Sequence, residues 1–214
     1  MRAYRELAVE PRDPLAWESG VSAAVKALNS GELLVHPTST VYGIGAAATA
    51  ELDAEINRLK GRASDRPIIR LAGSVETLRR ELPPGSWNER AERLATEFWP
   101  GPLTLILDDG SAAGVAVRVD GHPLLLVILG RWRSLMSSTS LNRKGGRPAT
   151  RCRTVRDVLA AMPAPTRPLT FLAAVSLPPS TSSTMVSLRG EAPEILRDGP
   201  IDRRRIVRCL GAVG

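Results

Sequence analysis

Hydrophobic and polar positions repeat along this chain with two different periods. Apolar residues at helical spacing run from Val21 to Leu28, and Gly31 follows as a C-terminal stop, so residues 17–30 are predicted to form an amphipathic helix. By the same criteria, further helices are predicted at 49–61, 74–82, 86–98, 123–129 and 154–162. Short apolar runs predict strands at 33–35, 68–71, 103–107, 115–119, 169–175 and 185–188. This alternation predicts an α/β or α+β fold, a sheet with helical cover.

Polar residues in front of three of these segments are suited to begin helices. Thr49 and Ser74 have side chains that can cap backbone N–H groups. Ser86-Trp87-Asn88-Glu89 has the form of a capping box, which places a helix N-terminus at Ser86.

Size and composition indicate an ordinary globular protein. The 214 residues are 43% hydrophobic and 24% charged, which argues against disorder, a collagen repeat or a disulfide scaffold. The Pro- and Ser-rich stretches at 163–168 and 176–184 are predicted to be loops, because neither side of them could bury a core of its own. The longest apolar run, Pro123–Gly130, is too short to span a bilayer, and the first residues lack a signal core. We therefore expect a cytoplasmic protein without a membrane partner.

Charge is distributed unevenly along the chain. Residues 1–130 carry 14 Lys or Arg against 17 Asp or Glu, whereas residues 131–214 carry 15 against 5. Nearly all cations are arginine, which pairs bidentately with phosphates and carboxylates. An anionic partner and a merely solvated basic surface both fit this composition.

Three polar segments stand out and are expected to be functional loops: Pro37–Gly45, Lys60–Pro67 and Ser138–Asn142. Gly43 and Gly45 match a loose GxGxxG/A dinucleotide pattern. They lie several residues beyond the predicted strand, so the strand–turn–helix geometry of that motif is missing and we reject this interpretation.

Three cations, Lys60, Arg62 and Arg66, follow a predicted helix C-terminus within seven residues. They would either complement the helix dipole in solvent or bind a polyphosphate and stabilise charge during phosphoryl or nucleotidyl transfer. Arg118 and Arg197, at predicted strand ends, could join them.

The sequence offers no nucleophile or metal cluster. Cys152 and Cys209 lack metal-ligand spacing and are expected to be inert thiols. His36 and His122 both precede proline and lie away from any Gly-x-Ser-x-Gly elbow. A Ser/His hydrolase is therefore not expected, and His122 is interpreted as a capping or packing residue.

The order of motifs resembles the YrdC-like family of threonylcarbamoyl-AMP synthases. The motifs that carry this resemblance, all collinear, are Pro37–Gly45, Leu59–Arg62, Asp65–Ile68, Trp99–Thr104, Val115–Val119, Thr139–Asn142, Ser183–Val186 and Ile195–Gly199. The similarity covers residues 15–202, leaving 1–14 as an N-terminal extension and 203–214 as a basic C-terminal tail. It implies one twisted mixed sheet flanked by helices, with a basic concave face.

The resemblance also implies a reaction. L-threonine, bicarbonate and ATP, with Mg²⁺ accompanying ATP, would give threonylcarbamoyl-adenylate and pyrophosphate for the t6A37 modification of tRNA. Expected partners are tRNA or double-stranded RNA and a downstream threonylcarbamoyl-transferase complex.

Site residues carry over motif by motif. The residues implied to contact threonine or its carbamate are Thr40, Arg118, Ser138 and Ser183. The residues implied to hold ATP are Lys60, Arg62, Arg66, Ser140, Asn142 and Arg197. No metal ligand and no side-chain nucleophile is implied, since positioning and charge stabilisation, by Lys60 and Arg62 above all, suffice for such a transfer.

The sequence departs from the family pattern at several positions. Ser39 replaces the usual Glu, Leu141 the usual Ala, and Arg147-Pro148 the usual Pro-Ser, while residues 174–182 lack the expected Gly-rich start. These departures and the basic C-terminal part favour one alternative, a catalytically weakened family member that binds tRNA or double-stranded RNA. A carbamoyl-transfer domain of the hydrogenase-maturation type is a third possibility, but the chain has no room for the further domains of that type.

Overall fold

A computed structural model describes residues 4–63, 67–142, 145–174, 177 and 180–211. The strands are β1 (Arg5–Ala8), β2 (Leu33–His36), β3 (Gly43–Ala47), β4 (Ile69–Ala72), β5 (Leu103–Leu107), β6 (Val115–Val119), β7 (Met136–Ser140), β8 (Leu169–Ala173), β9 (Thr184–Ser187) and β10 (Glu194–Arg197). The helices are α1 (Pro14–Asn29), α2 (Ala50–Leu59), α3 (Val75–Glu81), α4 (Glu89–Phe98), α5 (Pro123–Trp132), α6 (Cys152–Ala160) and α7 (Arg203–Leu210). The predicted α/β architecture is confirmed.

All the described strands join one mixed sheet, in the order β1-β8-β2-β3-β7-β4-β6-β5-β9-β10. The pairs β1/β8, β2/β8, β4/β6 and β5/β9 are parallel, and the remaining neighbours are antiparallel. Strands far apart in the chain therefore become neighbours, above all β3 and β7 at the centre.

Helix N-termini follow from local capping. The side chains of Thr49 and Ser74 accept hydrogen bonds from backbone N–H groups at the starts of α2 and α3, as predicted. The capping-box prediction at Ser86 is wrong, because Asn88 caps α4 by accepting from the Ala91 N–H at 2.9 Å. Ser86 itself is buried, and its hydroxyl has no hydrogen-bond partner among the described residues. The helix therefore begins two residues later than the capping-box pattern predicts, with an Asn as its N-cap.

Both flanking segments contribute to this fold. Within the expected N-terminal extension, β1 pairs in parallel with β8. Within the expected C-terminal tail, α7 buries Ile206 in the same core cluster as Leu94 of α4. The predicted boundaries at 15 and 202 stay a prediction, but these described parts belong to the sheet and its helical cover.

The two faces of the sheet are covered differently. On one face α2 and α6 pack on β2 and β3, and α3, α4 and α7 pack on β5 and β6. On the other face α1 and α5 pack around Leu34, Leu71 and Met136. Since α1 and α5 cover only part of that second face, the rest of it is available for a binding site.

Candidate functional site

Cross-strand pairing places a row of side chains on the partly covered face. His36 pairs with Gly43 and Gly43 with Ser140 in the antiparallel β2/β3/β7 ladder, and Leu71 pairs with Arg118 where β4 meets β6. Because directly paired residues share a face, polar groups from distant motifs meet here. The sheet order thus builds the site.

A cavity of about 220 Å³ lies along this row. The predicted threonine-binding residues that line it are Thr40, Arg118, Ser138 and Ser183. The predicted ATP-binding residues that line it are Arg62, Ser140 and Arg197. Lys60 and Asn142 lie at its edge, joined to Ser140, and Arg66 lies outside the described residues. Sequence motifs spread over the whole chain therefore converge on one pocket.

Two of the three polar segments expected to be loops contain central strands. Gly43–Ala47 forms β3 and Met136–Ser140 forms β7, and the two pair with each other. Glycine and serine are weak strand formers, so tertiary pairing overrides local propensity here. Gly45 is required for this pairing, because a Cβ there would overlap the Ser137 carbonyl oxygen. A glycine inside a strand also agrees with rejecting the dinucleotide motif.

Arg118 is anchored on the pocket floor by a buried carboxylate. It is 5% exposed, pairs with Asp120, which is 1% exposed, and donates from Nε to the Gly101 carbonyl at 2.9 Å. Asp120 also accepts from the backbone N–H groups of Ser39 and His122, each at 2.8 Å. One carboxylate thus fixes the guanidinium and the loop that follows β2. Sequence reasoning missed Asp120, although it lies two residues after Arg118.

Arg197 is held from the other side by Ser183. Its Nε donates to the Ser183 carbonyl at 2.8 Å and its Nη2 to the Ser183 hydroxyl at 3.0 Å. That hydroxyl also lies 2.8 Å from Thr104 Oγ1. The hydrogen bonds Thr104–Ser183–Arg197 therefore connect β5 and β10 through the residue just before β9, and they hold the guanidinium at the cavity.

The pocket is electrostatically suited to an anion. Burial lowers the pKa of Arg118, which Asp120 opposes, and the nearby charge of Arg197 lowers it further. Burial likewise lowers the pKa of Arg197. Both guanidiniums stay charged, yet no Asp or Glu is among the residues that line the cavity in the described part of the chain. A carboxylate or phosphate in the cavity would relieve this excess of positive charge.

Lys60 and Arg62 both reach β7 or the residues just after it. Lys60 Nζ donates to the Ser140 carbonyl at 2.7 Å, the Asn142 carbonyl at 2.9 Å and Asn142 Oδ1 at 2.7 Å. Burial, with a smaller contribution from Arg62, lowers the Lys60 pKa to about 8. Arg62 Nη1 donates to Thr139 Oγ1 at 3.1 Å. Lys60 therefore uses its three N–H donors to fix the segment after β7, while its charge stays at the pocket edge.

His36 is a site residue that sequence reasoning missed. It is fully buried, and its Nε2 lies 3.1 Å from the Ser138 hydroxyl and its Nδ1 3.2 Å from the Pro37 carbonyl. Burial lowers its pKa to about 4, so the ring is neutral near pH 7. Its position directly before the Pro37–Gly45 motif was the available signal.

The remaining candidates, His122 and the two cysteines, are not among the described residues that line the cavity. His122 occupies the N-cap position of α5 without a side-chain capping bond, and its Nδ1 has no partner among the described residues. Both cysteines are free thiols. In the described ranges no three His, Cys, Asp or Glu side chains lie close enough together to hold a metal ion. The helices of that same part of the chain are all too short or too polar to cross a membrane.

Fold and site together define an α/β protein with a cationic small-molecule pocket on one sheet face. The family model for Sua5, YciO and YrdC proteins, described as "Telomere recombination", matches residues 26–199. The chain belongs to this family.

Two relatives show how far the similarity extends. A Mycobacterium tuberculosis protein named "Putative threonylcarbamoyl-AMP synthase" is 35% identical over 212 residues, covering 93% of this chain and 93% of that protein. The threonylcarbamoyl-AMP synthase of Pyrococcus abyssi is 29% identical over 211 residues, which are 92% of this chain and 58% of that protein.

Two solved structures share the fold. The structure of P. abyssi Sua5 complexed with L-threonine superposes with a TM-score of 0.81 at 28% identity, covering 96% of this chain and 61% of that chain. Escherichia coli YciO superposes with a TM-score of 0.78 at 19% identity, covering 97% and 99% of the two chains. The YciO similarity establishes the fold alone.

Proposed function

We propose that this chain is a threonylcarbamoyl-AMP synthase, which forms L-threonylcarbamoyladenylate and pyrophosphate from L-threonine, bicarbonate and ATP. The observation that carries this proposal is the convergence of the family motifs on one cationic cavity, in a chain whose full-length M. tuberculosis relative bears that name. The P. abyssi relative, described in complex with L-threonine, supports an amino-acid substrate.

The residues that line the cavity suit both substrates. Around Arg118, Thr40 and Ser138, buried hydroxyls and a guanidinium would bind a small amino acid. The guanidiniums of Arg62 and Arg197, which line the same cavity, would meet the ATP phosphates. Lys60, Asn142 and Ser140 would shape the ATP side from the edge, and Arg66 remains a predicted ligand.

The reaction needs charge stabilisation more than a nucleophilic side chain. The threonine amine and bicarbonate would condense to a carbamate with loss of water. A carbamate oxygen would then attack the α-phosphorus of ATP, forming the P–O bond while the bond to pyrophosphate breaks. Since two anions approach each other, cations at fixed positions lower the barrier. The paired anchors of Arg118 and Arg197 supply such positions.

Mg²⁺ belongs to this proposal as part of the substrate. The residues that line the cavity offer hydroxyls and guanidiniums instead of carboxylates, a poor donor set for a resident Mg²⁺. The ion would therefore arrive with the ATP phosphates.

We propose that a downstream transferase complex transfers the threonylcarbamoyl group from this product to tRNA. We also propose that the chain acts in the cytoplasm. The alternative of a non-catalytic RNA-binding module is not favoured, because the relatives reported above are named as synthases.

The proposal is tested by incubating the purified chain with Mg·ATP, bicarbonate and labelled L-threonine. We expect pyrophosphate release and a labelled adenylate that both require bicarbonate. Arg62→Ala should abolish most of the activity, whereas Arg156→Ala, which removes an exposed guanidinium outside the cavity, should keep it. Absence of both products under conditions where the P. abyssi protein is active would contradict the proposal.

A further inference from the structure

His36 and Ser138 form a buried contact that the proposed reaction does not itself require. The two residues are 102 positions apart, and β3 lies between their strands. The imidazole is fully buried and the Ser138 hydroxyl, in a residue 6% exposed, lines the cavity. The ring therefore lies behind a residue that faces the substrate.

Space for this contact is built into β3. A Cβ at Gly43 would lie 2.8 Å from Ser138 Oγ and 3.0 Å from both Cε1 and Nε2 of His36. Only a glycine at this position lets the ring and the hydroxyl meet over the strand. The arrangement thus depends on three residues from three adjacent strands.

The partners of the ring fix the direction of its hydrogen bonds. The Pro37 carbonyl can only accept, so Nδ1 carries the ring proton. Nε2 of a neutral ring is then an acceptor, and the Ser138 O–H must donate to it. The charged and titratable neighbours of the ring are Asp120, Arg118 and His122. Burial is the main cause that lowers the pKa of His36, and His122 and Arg118 act in the same direction, while the Pro37 carbonyl and Asp120 oppose it.

We propose that His36 is a positioning residue that commits the Ser138 hydroxyl proton to itself, so that Ser138 presents only acceptor lone pairs to the substrate. Ser138 then binds an N–H or O–H group of the ligand and disfavours a carboxylate oxygen. This inference rests on the proposed function for the identity of that ligand, L-threonine, whose amine and hydroxyl are its donors. The threonine carboxylate then binds the guanidinium of Arg118. The His36–Ser138 pair therefore sets the orientation of the amino acid.

The hydrogen-bond direction can be measured without any substrate. The chain contains two histidines, so ¹⁵N NMR of labelled imidazoles resolves both, and His36→Gln assigns them. We expect a neutral, Nδ1-protonated His36 ring whose Nε2 resonance shifts in Ser138→Ala, while the His122 resonances stay in place. An Nε2-protonated ring, or an Nε2 resonance indifferent to Ser138→Ala, would overturn the proposal.

Calorimetric titration of L-threonine then tests the consequence for binding. We expect His36→Phe to weaken binding about tenfold and His36→Gln, which can return a carbonyl acceptor, to recover most of the loss. In the Ser138→Ala background His36→Phe should have no further effect, and ATP binding should stay within about twofold throughout. Equal losses in both backgrounds, or a parallel loss of ATP binding, would indicate a merely structural role.

An error in the proposed function can be told apart from an error in the proposed role of His36. If the unaltered chain binds no L-threonine, the synthase proposal and the ligand named here are both wrong. The NMR measurement would then still decide whether His36 sets the direction of the Ser138 hydroxyl.

Discussion

Arg118 and Asp120 pair on the floor of the cavity, where neither side chain is open to solvent. Asp120 serves two purposes there, because it neutralises the guanidinium and accepts hydrogen bonds from the backbone of the neighbouring loop at Ser39. A single carboxylate therefore couples the stability of the chain to the geometry of its binding site.

Asp120→Asn should destabilise the protein strongly. The substitution leaves the Arg118 charge buried without its counter-ion, which typically costs about 3 kcal/mol and would lower Tm by roughly 6–12 °C for a chain of this size. Differential scanning calorimetry measures this. The matched control is Glu18→Gln at the exposed Glu18–Arg131 pair, where Tm should hardly change. Equal Tm values for the two variants would contradict the assigned role of Asp120.

Gly45→Ala and Gly130→Ala should change stability in opposite directions. A methyl group at Gly45 would overlap the Ser137 carbonyl oxygen and force β3 away from β7, at a cost of about 1–3 kcal/mol. Gly130 lies in α5 with nothing within 4 Å of its Cβ position, so alanine should stabilise the helix by about 0.5–1 kcal/mol. Urea unfolding compares both variants with the unaltered chain. If Gly45→Ala were neutral, the close approach of the two central strands would be disproved.

Arg197→Gln should weaken ATP binding about tenfold, since it removes a charged donor that Ser183 aims at the cavity. Calorimetric titration of Mg·ATP checks this. Arg203→Gln is the control, because Arg203 is 61% exposed and pairs at 3.8 Å with Asp198, the residue next to Arg197. A similar loss in both variants would mean that general surface charge attracts ATP and that Arg197 has no specific role.

Strands and helices could be predicted from the sequence where their own residues favour the element, and not where tertiary contacts form it. Strands β5 and β6 were predicted with their observed bounds because their residues are almost all apolar and branched. The strands β3 (GIGAA) and β7 (MSSTS) consist mainly of glycine, alanine and serine, so their pairing, more than local propensity, makes them strands. The sequence of α7, RRRIVRCL, predicts a basic tail, because only one of its residues, Ile206, is buried in the core.

In the candidate site, too, the residues could be predicted from the sequence but their contacts could not. Motif order pointed to Arg118, Ser138 and the other cavity residues, because each motif keeps its residue types together along the chain. The contacts between motifs were not predictable, since they follow from the sheet order β2-β3-β7. His36 illustrates this, because its partner Ser138 lies 102 residues away.

Affinity for ATP should fall as the pH rises through the pKa of Lys60. Burial lowers this pKa to about 8, so the ammonium is charged below that pH and loses its proton above it. Loss of the charge weakens attraction for the phosphates and leaves one fewer N–H for the oxygens of Ser140 and Asn142. We therefore expect the Kd for Mg·ATP to rise severalfold between about pH 7.5 and about pH 9.

Lys60→Arg is the matched variant for this pH dependence, because a guanidinium keeps its charge throughout the range. Its Kd for Mg·ATP should be higher at pH 7.5 than that of the unaltered chain, because a planar guanidinium cannot bond all three oxygens that the Lys60 ammonium reaches. This Kd should stay constant as the pH rises. Lys26→Met, at an exposed lysine of α1, should titrate like the unaltered chain. A pH profile that is the same for Lys60→Arg and the unaltered chain would exclude Lys60 as the titrating group.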